Sequence, residues 1–200
     1  HKDVTPSKYG ITFNYDIEDI DNVGSVTSAD LLLKNEVVAS LTDLNQLSFS
    51  DLLSDNDYDI RINYQYDLND GTGMHNDSVS TTTHTIPLTI PTAVITSGVP
   101  FNNTLLLWFK LTDIDLILNV LRVEVYKDDT LVTSKDHLDN IKKDQNNEGV
   151  STADLSFSGL ALGEYVVVIV YQYDLNDGNG IHVVTKDHPT ADNKLRITIE

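Results

Sequence analysis

Acidic and amide side chains recur in two pairs of short motifs, and their oxygen atoms are of the type that Ca²⁺ prefers. Asp-Ile-Asp occurs at 19–21 and again at 113–115, and Tyr-Asp-Leu-Asn-Asp-Gly occurs at 66–71 and again at 173–178. Ca²⁺ takes about six to eight hard oxygen ligands. The candidate calcium ligands are therefore Asp19, Asp21, Asp67, Asn69 and Asp70 in the first copy, and Asp113, Asp115, Asp174, Asn176 and Asp177 in the second.

The same side chains have a second interpretation as turn formers. Asn-Asp-Gly is typical of tight hairpin turns, because glycine supplies the positive φ that these turns need. Aspartate and asparagine also hydrogen-bond to their own backbone in turns. In the first copy Gly71 lies one residue too early for an EF-hand loop. The sequence favours turn chemistry, leaves Ca²⁺ open, and indicates no other cofactor.

Motifs of known catalytic chemistry are absent from the sequence: it has no Gly-x-Ser-x-Gly, no His-Glu-x-x-His, no phosphate-binding glycine loop and no dinucleotide fingerprint. Asp19 with Asp21, or Asp174 with Asp177, would suit the two carboxylates of glycoside hydrolysis. Both copies have these acids, however, and active sites are seldom duplicated intact in so small a chain. We predict that the protein is not an enzyme.

Composition excludes several partners. The 31 Asp and Glu residues against 13 Lys and Arg give a net charge of −18, which repels phosphate backbones and anionic lipid. Nucleic acid is therefore not expected as a partner. No window approaches the ~18 apolar residues of a membrane span, so membrane insertion is not expected either. With no cysteine, the chain forms no disulfide or thiolate site.

An internal repeat organises the chain. The eight residues from Tyr64 to Gly71 recur unchanged as Tyr171 to Gly178, at an offset of 107. Near the start of each copy the offset is 94, and it reaches 108 where Leu47–Ser50 matches Leu155–Ser158, so the second copy has about 14 extra residues, which fall around 137–152. We predict two homologous domains, 1–90 and 91–200, with an insertion near 137–152 in the second.

The periodicity is that of β-strands. Apolar residues alternate with polar ones in Ile11–Ile17, Tyr58–Tyr66 and Leu121–Val125. Thr, Val, Ile and Tyr dominate these runs, and Asn, Asp and Gly separate them. Ser28–Leu44 is interpreted as two strands joined at residues 34–36. The predicted fold class is all-β, with about seven short antiparallel strands in a sandwich in each domain.

Each copy resembles a fibronectin type III domain, an Ig-like β-sandwich of seven strands. The alternating apolar residues that begin at Ile11 and Leu105 correspond to strand B, with Tyr15 and Phe109 where the family usually has Trp. The pattern Tyr-x-Ile/Val-x-Ile that begins at Tyr58 and Tyr165 corresponds to strand F. The resemblance implies that both tyrosines form the tyrosine corner. It also implies that the acidic B–C and F–G loops lie at one pole of each domain.

Two apolar features are expected on outward faces of the second domain. If Tyr165 and the alternate residues after it point inward, then Val166, Val168 and Val170 point outward. We expect this valine stripe to be covered, either by the 137–152 insertion or by a partner chain. By the same alternation Trp108 points outward, either as a packed rim residue or as a contact for sugar or protein. These four residues are the candidate partner-binding residues.

The repeated Tyr-Asp-Leu-Asn-Asp-Gly is also similar to repeats in large bacterial surface proteins and phage tail proteins. The resemblance implies an extracellular, non-catalytic spacer or adhesion module of a longer repetitive protein, with neighbouring repeats as its partners, on a bacterial cell surface or a phage particle. Two alternatives stay open. One is a module that binds a cell-surface glycan or protein through its sheet faces or loop tips, and the other is an accessory module of a polysaccharide-active enzyme.

Overall fold

The computed structural model describes residues 3–16, 18–19, 21–136, 138, 151–189 and 192–200, with the side chains of 151–154 outside the description. Every regular element in these ranges is a β-strand, and all pairs of strands are antiparallel. The predicted all-β fold is therefore confirmed. No helix in this part of the chain could cross a membrane. The chain divides into two compact units, His1–Leu88 with Asn176–Gly178, and Thr89–Leu175 with Asn179–Glu200.

The first unit is a sandwich of two sheets. One sheet has the order β1-β2-β5 and the other the order β4-β3-β6-β7. The strands are β1 (Val4–Pro6), β2 (Ile11–Phe13), β3 (Gly24–Leu33), β4 (Glu36–Leu41), β5 (Ser48–Phe49), β6 (Asp57–Asp67) and β7 (Met74–His84). The turn between β3 and β4 falls at Lys34 and Asn35, which both have positive φ, as the sequence predicted.

The second unit repeats this arrangement. Its sheets have the orders β8-β9-β12 and β11-β10-β13-β14, with β15 also paired to β13. The strands are β8 (Thr92–Phe101), β9 (Thr104–Thr112), β10 (Asn119–Lys127), β11 (Thr130–Asp136), β12 (Ser151–Ser158), β13 (Gly163–Asp174), β14 (Ile181–Val184) and β15 (Lys194–Ile199). Both units thus place their first, second and fifth strands in one sheet and the others in the second sheet.

Alternate residues of the strands form one core in each unit. The residues Ile11, Phe13, Leu31, Tyr58 and Ile60 are all nearly inaccessible in the first unit. The second core is larger and consists of Ala93, Ile95, Leu105, Leu107, Phe109, Leu111, Leu118, Val123, Val125, Phe157, Leu160, Tyr165, Val167, Ile169, Tyr171, Tyr173, Val184 and Ile199. Burial of these apolar side chains is the main force that holds each pair of sheets together.

The same β-bulge occurs on one outer strand of each unit. In β4 the residues on either side of Val38 pair with consecutive residues of β3, so Val38 itself has no cross-strand partner. In β11 the same is true of Val132 opposite β10. Among the described residues β4 and β11 each pair with one strand only, so the bulges lie on sheet edges.

The two units differ in the last strand. In the first unit β7 pairs with β6 over eleven consecutive residues, whereas in the second unit residues 185–193 separate β14 from β15. The offset between equivalent residues rises from 107 at His75 and His182 to 114 at His84 and Thr198, so seven residues are inserted here. The sequence analysis did not predict this insertion. The one it did predict, near 137–152, lies largely outside the described residues.

Asn193 closes the gap that the interruption leaves in the sheet. Its Nδ2 donates to the carbonyl oxygens of Ile169 (2.9 Å) and Thr185 (3.2 Å), and its own carbonyl oxygen accepts the Ile169 N–H (3.0 Å). The side chain is fully buried. A buried backbone group without a partner is costly, so one asparagine replaces ladder hydrogen bonds that β13 would otherwise lose.

Candidate functional site

The first aspartate of each Asp-Ile-Asp motif organises the loop that contains it. Asp19 accepts the N–H groups of Val23 (3.1 Å) and Gly24 (2.7 Å) through its two carboxylate oxygens. Asp113 accepts two N–H groups at the equivalent positions, 2.9 and 2.8 Å away, and is only 1% exposed. Both carboxylates therefore serve the backbone of their own loop.

The second aspartate of each motif has a different place in the two units. Asp21 is exposed at the tip of its loop. Asp115 is half-buried, and its Oδ2 accepts the backbone N–H of Thr89 (2.7 Å). The two copies of Asp-Ile-Asp thus share the role of their first residue and not of their second.

The Tyr-Asp-Leu-Asn-Asp-Gly motif forms the same turn in both of its copies. Asn69 and Asn176 have φ of 52° and 50°, and the glycines two residues later have φ of 86° and 85°. Asp67 accepts the N–H of Asn69 (2.8 Å), and Asp70 accepts both the N–H (2.9 Å) and the hydroxyl of Thr72. The hydroxyl of Thr72, followed by its N–H, lowers the pKa of Asp70. The motif builds a hairpin turn, as the alternative interpretation predicted.

In the second copy of the motif Asp174 is the last residue of β13, and Asn176 and Asp177 follow it in the turn. Across the described ranges, no three His, Asp or Glu side chains are grouped in a way that would hold a metal ion. The turn role of Asp19, Asp67, Asp70 and Asp113 is clear from their hydrogen bonds, and Ca²⁺ binding by these loops stays a prediction.

The tyrosine corner is present in both units. The Tyr58 hydroxyl accepts the N–H of Leu53 (3.0 Å), and the Tyr165 hydroxyl donates to the carbonyl oxygen of Ala161 (2.7 Å). Both tyrosines are 2% exposed. Each hydroxyl therefore fixes the segment that precedes its strand, as the resemblance implied.

A row of stacked rings, which the sequence analysis missed, lies beside each hairpin turn. In the first unit the ring centroids of Tyr64 and Tyr66 are 6.2 Å apart, and those of Tyr66 and His75 are 5.3 Å apart. The same stack in the second unit has distances of 6.4 and 5.1 Å, over Tyr171, Tyr173 and His182. The signal was Tyr-x-Tyr followed by a histidine nine residues later in both copies.

Two of the three outward valines are not open to a partner. Val168 and Val170 are 0% and 1% exposed, and only Val166 is half-exposed. Their neighbours on β10 are Glu124 and Arg122, and the Arg122 Nε donates a hydrogen bond to the Glu124 Oε1 (2.6 Å). The structure therefore covers Val168 and Val170 within the chain itself, so these two residues need no partner chain as a cover, and the 137–152 insertion expected as one possible cover lies largely outside the described residues.

A lysine from the 185–193 segment lies against the same sheet. The Lys186 Nζ is 4.9 Å from the ring centroid of Tyr126 and 2.9 Å from the Asp129 Oδ1. Asp129 raises the pKa of Lys186, and Lys186 lowers the pKa of Asp129. Burial, followed by the hydrogen bond that the Tyr126 hydroxyl donates to Glu124, raises the pKa of Tyr126 to about 12. The Tyr126 ring and the Asp129 carboxylate therefore form one site that holds the Lys186 ammonium group.

Trp108 is half-buried on the outer side of the sheet β12-β9-β8. It pairs with Ser97 across the strands, and the next outward pair along is Leu106 with Val99, which is 47% exposed. Phe101, at the end of β8, is 66% exposed. Trp108 thus belongs to an outward apolar group that is partly accessible.

A pocket of about 250 Å³ opens at the acidic-loop end of the first unit. Its walls are the side chains of Tyr15, Tyr64, Val26, Ile62 and Val79, with Gly24 and Ser25 beside them. Asp16 and Glu18 lie at its exposed rim. Next to it, Asp77 accepts a hydrogen bond from the Tyr64 hydroxyl (3.2 Å). Burial, followed by the charge of Asp77, raises the pKa of Tyr64. The sequence analysis did not predict this pocket.

Comparisons with known proteins find a likeness to solved structures and no matching family. No family model and no curated protein matches the chain. Among solved structures, the fibronectin(III)-like modules of Clostridium thermocellum CbhA are similar, with 10% sequence identity and a TM-score of 0.29 over 100% of this chain and 94% of that one. A score this low does not establish a shared fold. The fibronectin type III-like β-sandwich fold of the two units rests instead on their strand orders and their two tyrosine corners.

Proposed function

Since both units have a fibronectin type III-like β-sandwich fold, we propose that the chain is a non-catalytic structural module. In this proposal it acts as an extracellular spacer or adhesion module of a larger repetitive protein on a bacterial surface or a phage particle. Its work is mechanical, because each sandwich resists extension while it separates the segments on either side.

One observation supports the spacer above the alternatives. The features that the two copies share form the framework of each sandwich: the loop carboxylate that accepts two N–H groups, the turn, the tyrosine corner and the stacked rings. The outward faces differ, since Asp59, Arg61 and Asn63 lie where the second unit has Val166, Val168 and Val170. Repetition thus preserves the scaffold and not a surface, which suits a protein whose function is to span a distance.

Single-molecule extension tests this proposal. With the chain tethered at both ends, we expect two separate unfolding steps, because each unit has its own core. An extended chain spans at most ~3.6 Å per residue, so the steps should release roughly 30 nm for the first unit and roughly 40 nm for the second. The Tyr165→Phe variant should lower the force of one step only. Gradual extension without steps would contradict a spacer whose domains resist force.

The second candidate function is a binding module that uses the apolar group around Trp108. Tryptophan is enriched in the centres of binding surfaces, and this one is partly accessible. Trp108→Ala should then abolish attachment to a cell or glycan surface at unchanged thermal stability, with Phe109→Ala as a core control that lowers stability. Unchanged attachment for Trp108→Ala would favour the spacer. The third possibility, an accessory module of a polysaccharide-active enzyme, would have the same scaffold.

A further inference from the structure

The pocket beside Gly24 lies where the two copies differ, because the first has Gly24 where the second has Leu118. Gly24 and Leu118 are equivalent, because each donates its N–H to the second oxygen of the loop aspartate. Leu118 is 3% exposed and belongs to the core of its unit. Gly24 has no side chain, and a pocket of about 250 Å³ opens beside it. The first unit thus has a cavity where the second has packed leucine.

The surrounding residues show the same contrast. Tyr15 and Tyr64 are half-buried walls of the pocket, whereas their equivalents Phe109 and Tyr171 are 1% and 4% exposed. Small-molecule sites usually occupy about 300–1,000 Å³. At about 250 Å³ the pocket lies below that range, so its size suits a single long side chain.

The chemistry of the walls and rim specifies which side chain. Tyr15, Tyr64, Val26, Ile62 and Val79 provide apolar and aromatic surface for an aliphatic stem. The exposed carboxylates of Asp16 and Glu18 at the rim favour a positively charged end. Lysine has both parts, since it buries its methylene stem while its ammonium group stays at the water boundary.

The second unit contains the same combination in occupied form. Lys186 places its ammonium 4.9 Å from the Tyr126 ring centroid and 2.9 Å from the Asp129 carboxylate. Lys127 similarly lies 5.3 Å from the ring centroid of Tyr165. Cation–π contacts of this kind contribute modestly at exposed sites and more when partly desolvated.

We propose that the Gly24 pocket binds a lysine side chain of a partner protein, with the stem between Tyr15 and Tyr64 and the ammonium at Asp16 and Glu18. This goes beyond the spacer function, since it gives the first unit a docking point that the second has filled. The spacer proposal is tested by unfolding and the pocket by binding, so either can fail alone.

The test is a ¹⁵N NMR titration of the whole chain at low salt with Nα-acetyl-lysine N-methylamide. We expect shifts in the amides of Gly24, Ser25 and Val79 and none at Leu118. The norleucine analogue has the same stem without the charge and should bind about threefold to tenfold more weakly, as expected for one or two exposed ion pairs. Equal shifts with norleucine, or stronger binding of glucosamine, would overturn the proposal.

Two variants locate the site. Asp16→Asn with Glu18→Gln should weaken lysine binding by the same factor, whereas the matched pair Asp3→Asn with Glu36→Gln, both exposed and outside the pocket, should leave it unchanged. Gly24→Leu should abolish the shifts by filling the pocket as Leu118 does. If that variant does not fold, the charge pair still decides, because equal binding by both charge variants would refute the site.

Discussion

The carboxylate of Asp113 is expected to be one of the strongest single contributors to the stability of the second unit. It accepts two N–H groups, from Ile117 and Leu118, while only 1% exposed. Hydrogen bonds to a charged group contribute about 1.5–3 kcal/mol each, and an abandoned buried donor costs about as much. Asp113→Ala should therefore lower the free energy of unfolding by about 3 kcal/mol, allowing for partial relaxation of the loop.

The equivalent variant in the first unit is the matched control. Asp19 accepts the same two bonds, but these are exposed and water can replace the lost oxygen atoms. Asp19→Ala should therefore cost about 1 kcal/mol. In domains of this size 1 kcal/mol corresponds to about 4–8 °C, so the midpoints should fall by roughly 12 °C or more and by roughly 5 °C respectively.

The chain has its own reporter for this comparison. Trp108 is the one tryptophan and lies in the second unit, so its fluorescence follows the melting of that unit alone, while circular dichroism follows both. Asp113→Ala should move the fluorescence transition and Asp19→Ala should not. Equal midpoint losses for the two variants would refute the argument that burial of the carboxylate sets its contribution.

Three further outcomes are expected. His84 hydrogen-bonds to Asp57 and Asp55 through its two ring nitrogens, which raises its pKa. The stabilisation that protonated His84 gives the folded state is therefore complete below about pH 6.5 and is lost as pH rises through the folded-state pKa of His84. The His84→Gln variant should remove this pH dependence from melts of the chain, while the transition that Trp108 reports stays the same. Tyr165→Phe should lower the midpoint of the second unit by about 4–8 °C, because it loses one hydrogen bond worth about 1 kcal/mol; no change would show that the hydroxyl is dispensable. Melts in EDTA and in millimolar Ca²⁺ should coincide if the loop carboxylates serve their own backbone, whereas a rise with Ca²⁺ that Asp174→Ala with Asp177→Ala abolishes would establish an ion site.

Much of the fold follows from local signals in the sequence. Alternation from Tyr58 onwards identified β6, because a strand with one face in the core must place apolar residues at every second position. The turn at Lys34 and Asn35 and the hairpin glycines followed from their tolerance of positive φ. The tyrosine corners came from the resemblance and not from any local rule.

The rest depended on tertiary contacts that no local pattern encodes. Asp19 and Asp113 were candidate ion ligands because composition shows which oxygens are present but not which N–H groups face them. Alternation placed the valine stripe on an outward face but left two possible covers, the 137–152 insertion or a partner chain, since it gives the direction of a side chain and not what covers it. The interruption before Asn193 was missed because residues 185–193 have the polar composition of an ordinary loop.

The interruption of the last strand also bears on how two copies with an identical turn fold correctly. Residues 64–71 and 171–178 have the same sequence, so the hairpins of the two units are alike where they turn. Tandem repeats that are too similar risk exchanging strands during synthesis and becoming kinetically trapped. A β7 strand placed on β13 would keep its register, because β6 and β13 correspond at a constant offset of 107. It would, however, lack the seven inserted residues, and with them the Lys186 ammonium that contacts Asp129. Sequence divergence in one strand thus gives the second unit a contact that the strand of the first cannot replace, while the repeated turn stays the same.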